Sequence, residues 1–285
     1  MSTIARNSVC VRQDVMRWMI TDALWNELGP AVEQAKRYRG GQKPRLPDRL
    51  FFEALLYSAR TGIPWRDLPG DFGAWDAVYN RFRRWITSGS LRRLFELLTD
   101  RPVFDEVRRV LIDSTIVRAH QHAAGARKKK GAAAEQGLGR SRGGFSSKII
   151  VTAADENTAV VVDVVAGQAA DAPLWEPMLE RTIERVPHFD EMVGDKGFDG
   201  DEQRLSCIDR DVFPNIPNRS NRTEPWPFMA EGYVERNRVE RLLGKAKQFR
   251  RVATRYEKLK ETFLGFIHLA LGFIRLRASV NVNTA

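Results

Sequence analysis

A mixed α/β fold preceded by an all-helical region is what this sequence predicts, on two observations. Apolar residues in the first hundred positions recur at helical spacing. From Arg109 onward, short β-rich runs alternate with helical segments. Separately, the charge is divided into blocks, two strongly basic stretches bracketing an acidic one. At 285 residues and 43% hydrophobic content the chain can bury one large core or two modest ones. The change of pattern puts a helical N-terminal domain at 1–105 and an α/β domain at 106–285.

In the first region Asp48 is placed to cap a helix from Arg49 to about Arg60, which Gly62 and Pro64 end. A second helix begins near Trp75, with Trp75, Val78, Tyr79, Phe82 and Trp85 on one stripe, Arg84 opposite, and Arg81 and Arg83 to the sides. A third runs from Leu91 to about Leu98. Three short helices with an arginine-bearing one in the middle suit a helix-turn-helix DNA reader. The Trp/Phe stripe is equally readable as plain core, and no base-reading residue is assigned.

The second region opens with Val110-Leu111-Ile112-Asp113-Ser114-Thr115-Ile116-Val117, a buried central strand interrupted by one carboxylate and hydroxyls. Residues 123–147 are rich in Gly, Ala, Ser, Lys and Arg and read as a flexible basic loop. Lys148–Ala154 and Val160–Val165 form a hairpin around Asp155-Glu156-Asn157. Asp171 and Pro173 open a helix to about Val186. Met192–Asp195 is a short strand, another lies near Asp211–Ile216, and helices follow from Tyr233 to Gln248 and from Lys258 to Ala278. Three strands, helix, strand, helix, strand, helix is the order of an RNase H-like core, a mixed five-stranded sheet flanked by helices.

Net charge is +10, with 8 Lys/Arg against one Asp/Glu at 118–148, 7 against 17 at 149–232, and 12 against 4 at 233–277. The basic flanks suit a polyanion such as nucleic acid, whose counterions they would release, and leave carboxylates in the centre. Solvated faces that happen to alternate would give the same counts. Cys10 and Cys207 support neither a disulfide framework nor a zinc site. Without a leader-like segment or an apolar run of membrane length, the expectation is a soluble, intracellular, cytoplasmic protein, associated with the nucleoid when bound to DNA.

Three carboxylates stand out. Asp113 lies inside an apolar strand, where an ionised group is costly unless it is paired or holds a cation. Asp195 ends another strand before Lys196-Gly197, while Asp190, Asp199 and Asp201 sit in polar contexts that read as solvated. Taken singly, either Asp is as easily structural. For Glu240 the argument is helical phase. Arg236, Glu240 and Lys247 fall at roughly −60°, −20° and −40° from Tyr233 at about 100° per residue, whereas Glu235 falls at about 200°. An exposed charged face is the competing explanation of that stripe. Phosphodiester cleavage needs such a set: two Mg²⁺ roughly 4 Å apart serve the attacking and leaving oxygens, and Arg236 and Lys247 would neutralise the backbone.

Several strings then carry a resemblance over nearly the whole chain: Gly62-Ile63-Pro64-Trp65-Arg66-Asp67-Leu68-Pro69, Tyr79-Asn80-Arg81-Phe82-Arg83-Arg84-Trp85, Ile112-Asp113-Ser114-Thr115, Gly139-Arg140-Ser141-Arg142-Gly143-Gly144, Gly194-Asp195-Lys196-Gly197-Phe198-Asp199 and Lys247-Gln248-Phe249-Arg250-Arg251. With the Tyr233-Arg236-Glu240-Lys247 spacing, they resemble a bacterial insertion-sequence transposase of the DDE type, of the insertion-sequence-five family. The resemblance implies a catalytic, metal-holding triad of Asp113, Asp195 and Glu240. It also implies two Mg²⁺ with Mn²⁺ as substitute, and DNA contacts from Tyr233, Arg236, Lys247, Arg250 and Arg251. The implied partners are double-stranded DNA, as terminal inverted repeats and target, and further copies of the chain in at least a dimer. A catalytically silent DNA-binding descendant of a transposase is the alternative. In relatives a His often precedes the Asp of Gly167-Gln168-Ala169-Ala170-Asp171, where this chain has Ala170, so Asp171 is assigned only helix capping. His120 and His122 are set aside as metal ligands, and the apolar residues from Phe263 to Ile274 read as core or a self-association face.

Overall fold

The computed structural model describes residues 18–37, 45–100, 106–124, 136–141 and 143–283. Its organising element is strand β1 (Arg109–Ala119), whose apolar, β-branched run pairs on both edges. On one side it lies antiparallel to β3 (Gly144–Ala153), itself antiparallel to β4 (Ala159–Ala166). On the other it lies parallel to β5 (Glu191–Val193), which is parallel to β6 (Phe213–Asn215). The five principal strands therefore run β4-β3-β1-β5-β6, the RNase H-like order, with β2 (Gly139–Ser141) on β3 and β7 (Thr254–Arg255) on β1.

Helices α1 (Asp22–Ala35), α2 (Asp48–Thr61), α3 (Trp75–Thr87) and α4 (Ser90–Thr99) make up the N-terminal region. After the hairpin come α5 (Trp175–Arg185) and α6 (Asp201–Ile208). The remaining helices are α7 (Ala230–Val234), α8 (Asn237–Lys247), α9 (Arg250–Ala253) and α10 (Lys260–Asn283). Two apolar cores lie on opposite faces of the sheet, following strand alternation. Val110 and Ile112 face the smaller, with Trp175, Met178 and Leu179 of α5. Leu111 faces the larger, which is continuous through α1–α4, α8, α9 and α10. The helical region and the α/β region thus share a core. Phe263, Phe266, Ile267, Leu269, Leu271 and Phe273 are buried in it and Ile274 partly so, the core reading of that apolar run. Helix α10 is long and apolar enough to cross a membrane by length and composition, contrary to the sequence expectation, but 67% of its apolar window is buried against protein.

Several expectations are corrected. Asp48 is not a cap: Pro47 precedes the helix, and the Asp48 carboxylate instead receives Lys36 and Arg81. Arg81, expected at the side of α3, is buried by that pair, by the Leu46 carbonyl and by the Phe51 ring 4.3 Å away. Trp75 stays exposed and Tyr79 half-buried, while Val78, Phe82 and Trp85 are buried, so that part of the stripe is core. Within 123–147, residues 139–141 and 144–147 are strand; 125–135 and 142 lie outside the described residues. The helix expected from Tyr233 to Gln248 is two, because successive i→i−3 bonds (Glu235 to Gly232, Arg236 to Tyr233, Arg238 to Glu235) tighten the chain between α7 and α8.

Candidate active site

The parity that sends Leu111 into the larger core sends Asp113 and Thr115 to the same face, under α8. Asp195 follows β5 after Gly194 and, two residues beyond core-facing Val193, points the same way. Arg236 is the N-cap of α8, and Glu240 lies one turn on. The three carboxylates meet at one guanidinium. Arg236 Nη2 is 3.2 Å from Asp113 Oδ1 and 3.6 Å from Asp195 Oδ2, and Nη1 donates to Glu240 Oε1 at 2.6 Å. Lys247, two turns after Glu240, donates to Thr115 Oγ1 at 2.5 Å. Sequence reasoning therefore selected residues that the fold brings together.

Exposure grades across the site. Asp113 is 8% exposed, Asp195 is half-buried and Glu240 is exposed. Burial pushes the Asp113 carboxyl up to about 6; Arg236 and the Ser114 backbone oppose this, and the charges of Asp195 and Glu240 add to it. The carboxylates hold the Arg236 guanidinium above its usual value despite its burial. An all-oxygen donor set with no soft ligand suits a hard divalent cation, the kind DDE domains use. His120 and His122 belong elsewhere: their rings are 4.5 Å apart, and His120 also packs on Tyr256.

Other assigned residues separate. Tyr233, on α7, packs edge-to-face on Phe228 with ring centroids 5.3 Å apart. Arg250 is exposed. Arg251 is not available to DNA: it is 3% exposed, bonded to Glu257 and to the Ile63 carbonyl, and enclosed by Trp65, Tyr256 and Phe266. Asp199, read as solvated, is buried between Arg204 and Arg222 and accepts the Arg219 N–H at 2.7 Å, which holds its carboxyl below the usual range despite desolvation. Asp190 and Asp201 are exposed, as expected.

Two supporting networks were not foreseen. Below the carboxylates, Arg109 joins Glu191 to Glu235, and Asn215 donates to Glu191 and to the Met229 carbonyl. This braces the turn that presents Arg236. Gly232 is part of it, since a Cβ there would collide with Glu191 and Asn215. Asp171 makes no side-chain cap bond. Its Oδ1 accepts from Ser114 Oγ at 2.7 Å and Lys148 Nζ at 2.8 Å. The only sequence signals were the buried-strand position of Lys148 and the Gly just before Tyr233.

A second feature lies on the helical region. Asn80, Arg83 and Arg84, on the exposed side of α3, line a groove of about 710 Å³ together with Arg45.

An RNase H-like sheet with two Asp at its central strands and a Glu on a helix packed over it is the arrangement expected of a DDE transposase domain. Residues 20–95 match the family described as "Putative transposase of IS4/5 family", and residues 192–277 match a "Transposase DDE domain". A "Putative transposase for insertion sequence element IS6501" from Brucella ovis is 47% identical over 116 residues, 39% of this chain and 83% of the relative. An uncharacterised protein, y4sN, of Sinorhizobium fredii is 48% identical over 93 residues, 33% of this chain and 72% of the relative. The chain belongs to the insertion-sequence transposases of this family. Among solved structures, a piggyBac transposase synaptic complex with hairpin DNA aligns over 73% of this chain at 13% identity and TM-score 0.37, this chain spanning half of that one. A pre-cleavage Mos1 transpososome aligns over 86% of this chain and 82% of that one, at 9% identity and TM-score 0.26. Likeness at this level adds nothing to the fold assignment, which rests on strand order and family.

Proposed function

We propose that this transposase is catalytically active, binding the terminal inverted repeats of its insertion sequence and catalysing strand cleavage and transfer into target DNA. The observation that carries the reading is the convergence of Asp113 and Asp195 on one guanidinium nitrogen and of Glu240 on the other. Asp113, Asp195 and Glu240 would hold two Mg²⁺, or Mn²⁺ in their place. The chemistry such ions supply is activation of the attacking oxygen and stabilisation of the leaving one. Buried Asp113 fixes the inner edge of the site, and exposed Glu240 leaves the outer side open to a duplex. Arg236, Lys247 and exposed Arg250 neutralise phosphates beside the scissile bond, with Tyr233 flanking them. Water attacks first at the 3′ end of the element, and the freed 3′-hydroxyl then attacks target DNA. The groove of Arg45, Asn80, Arg83 and Arg84 supplies a basic surface for end DNA on the helical region, 1–105. Assembly as at least a dimer follows from the need to hold two ends together.

The test is incubation of purified protein with a plasmid carrying the DNA that flanks its gene, in Mg²⁺ or EDTA, comparing wild type with Glu240→Gln. End-specific 3′ nicking and strand transfer, lost in EDTA and in the variant, is expected. Binding without cleavage would point to the catalytically silent descendant, and cutting indifferent to the ends to a general nuclease.

A further inference from the structure

We propose that Arg236 is a built-in counter-cation: its guanidinium holds the three acidic residues together in advance of metal, competes with the ion for their oxygens, and is released towards DNA when the ion binds. The inference rests on the reading of Asp113, Asp195 and Glu240 as the metal-holding triad and adds a means by which loading is regulated.

The geometry is specific to a guanidinium. Three carboxylates at the end of a sheet repel one another, and one compact ammonium would meet them at a single point. A planar fork presents two nitrogens at once. Here Nη2 serves the two Asp and Nη1 serves the Glu. Among the described residues no three His, Cys, Asp or Glu side chains are already spaced to hold an ion, so the triad is arranged around the guanidinium. Holding this position has a cost, because Arg236 Nε is buried with no hydrogen-bond partner and the three carboxylates must offset its desolvation. The backbone beneath is fixed. Glu235, the preceding residue, is tied to Arg109, and the Arg236 N–H bonds the Tyr233 carbonyl. A metal ion would therefore displace the side chain without moving α8, and leave a cation beside the site for the incoming phosphate.

Competition of this kind has a definite thermodynamic signature: a ligand that must displace an internal partner binds more weakly by the strength of that partnership. The experiment is calorimetric titration of Mn²⁺ into EDTA-stripped full-length protein without DNA, for wild type, Arg236→Gln, Arg236→Lys and Glu240→Gln, with thermal melts with and without Mn²⁺. Arg236→Gln should melt below wild type without metal, bind Mn²⁺ about 10-fold more tightly, and gain more in melting temperature from Mn²⁺. Arg236→Lys, which keeps charge but not the fork, should fall between and guards against misfolding of the first variant. Equal or weaker Mn²⁺ binding by both Arg236 variants overturns the counter-cation, while weaker binding by Glu240→Gln would leave the triad reading standing. No Mn²⁺ binding by any variant would overturn both.

Discussion

Lys247 Nζ reaches Thr115 Oγ1 at 2.5 Å, tying the C-terminal end of the helix that carries Glu240 to the strand that carries Asp113. The bond sets the height of the helix over the sheet, and the ammonium remains close enough to the site to meet a phosphate. Thr115→Val should remove the first role and keep the second, costing about 1 kcal/mol in denaturant unfolding and less than about 10-fold in end cleavage. Lys247→Gln removes the charge and should reduce cleavage by well over about 10-fold, with a shallower salt dependence of DNA binding. Equal losses from the two would show that only the tether matters.

Arg250 and Arg251 are neighbours in sequence with opposite fates. Arg251→Met leaves Glu257 buried without its partner, so a loss of about 3–5 kcal/mol in chemical denaturation is expected. Arg250→Ala should change stability by less than about 0.5 kcal/mol and weaken binding to end DNA with a salt slope reduced by about 1. A stable Arg251 variant with weakened DNA binding would restore the sequence-based assignment.

What the sequence made legible was whatever a short-range rule could reach. Asp113 stood out because a charge inside an apolar strand is costly, and Glu240 because Arg236 and Lys247 share its helical face. The break between α7 and α8 was hidden because hydrophobic and charged periodicity continues across it, while the Arg109–Glu235 pair that ties it to β1 spans 126 residues. Asp199 looked solvated because its arginine partners lie 5 to 23 residues away. Strand β2 was taken for loop because Gly-Arg-Ser has no strand character; it forms through pairing with β3. Helix α1 was not assigned from the sequence, and it continues through Pro30.

The carboxyl of Asp113 provides a pH test without DNA. Its folded-state value, about 6, lies above the ordinary 3.8, so between these values the native state binds more protons than the unfolded chain. Its contribution therefore falls as pH rises through about 4 to 6 and is level above. His268 acts in the opposite sense: burial lowers it to about 3, so stability is lost as pH falls below 6.5. Melting wild type and Asp113→Asn in EDTA from pH 4 to 8 cancels the histidine. The advantage of the variant should grow on the order of 2–3 kcal/mol across the window. A difference that does not change with pH would mean that Asp113 is not desolvated in solution.

The two glycines that bracket Asp195 make the last comparison, because both sit in close quarters but against different neighbours. A Cβ on Gly194 would lie 2.7 Å from the Trp175 ring and 3.2 Å from Ile112 and Phe198, all part of the smaller core. None of these can move without repacking, so Gly194→Ala should cost about 1–3 kcal/mol and lower the melting temperature clearly. A Cβ on Gly197 would meet Asp195 Oδ1 at 2.8 Å and Asp171 Oδ2 at 3.4 Å, the ends of two side chains that can rotate away. The strain is then relieved by displacing the carboxylate that accepts the Gly197 N–H at 2.8 Å. Gly197→Ala should therefore melt near wild type yet lose at least about 10-fold in cleavage, since misplacing a catalytic group by about 1 Å is that costly. Mn²⁺ titration of the same variant should show weaker binding. Normal cleavage by Gly197→Ala would mean that the Asp195 carboxylate is not held by this turn when it acts.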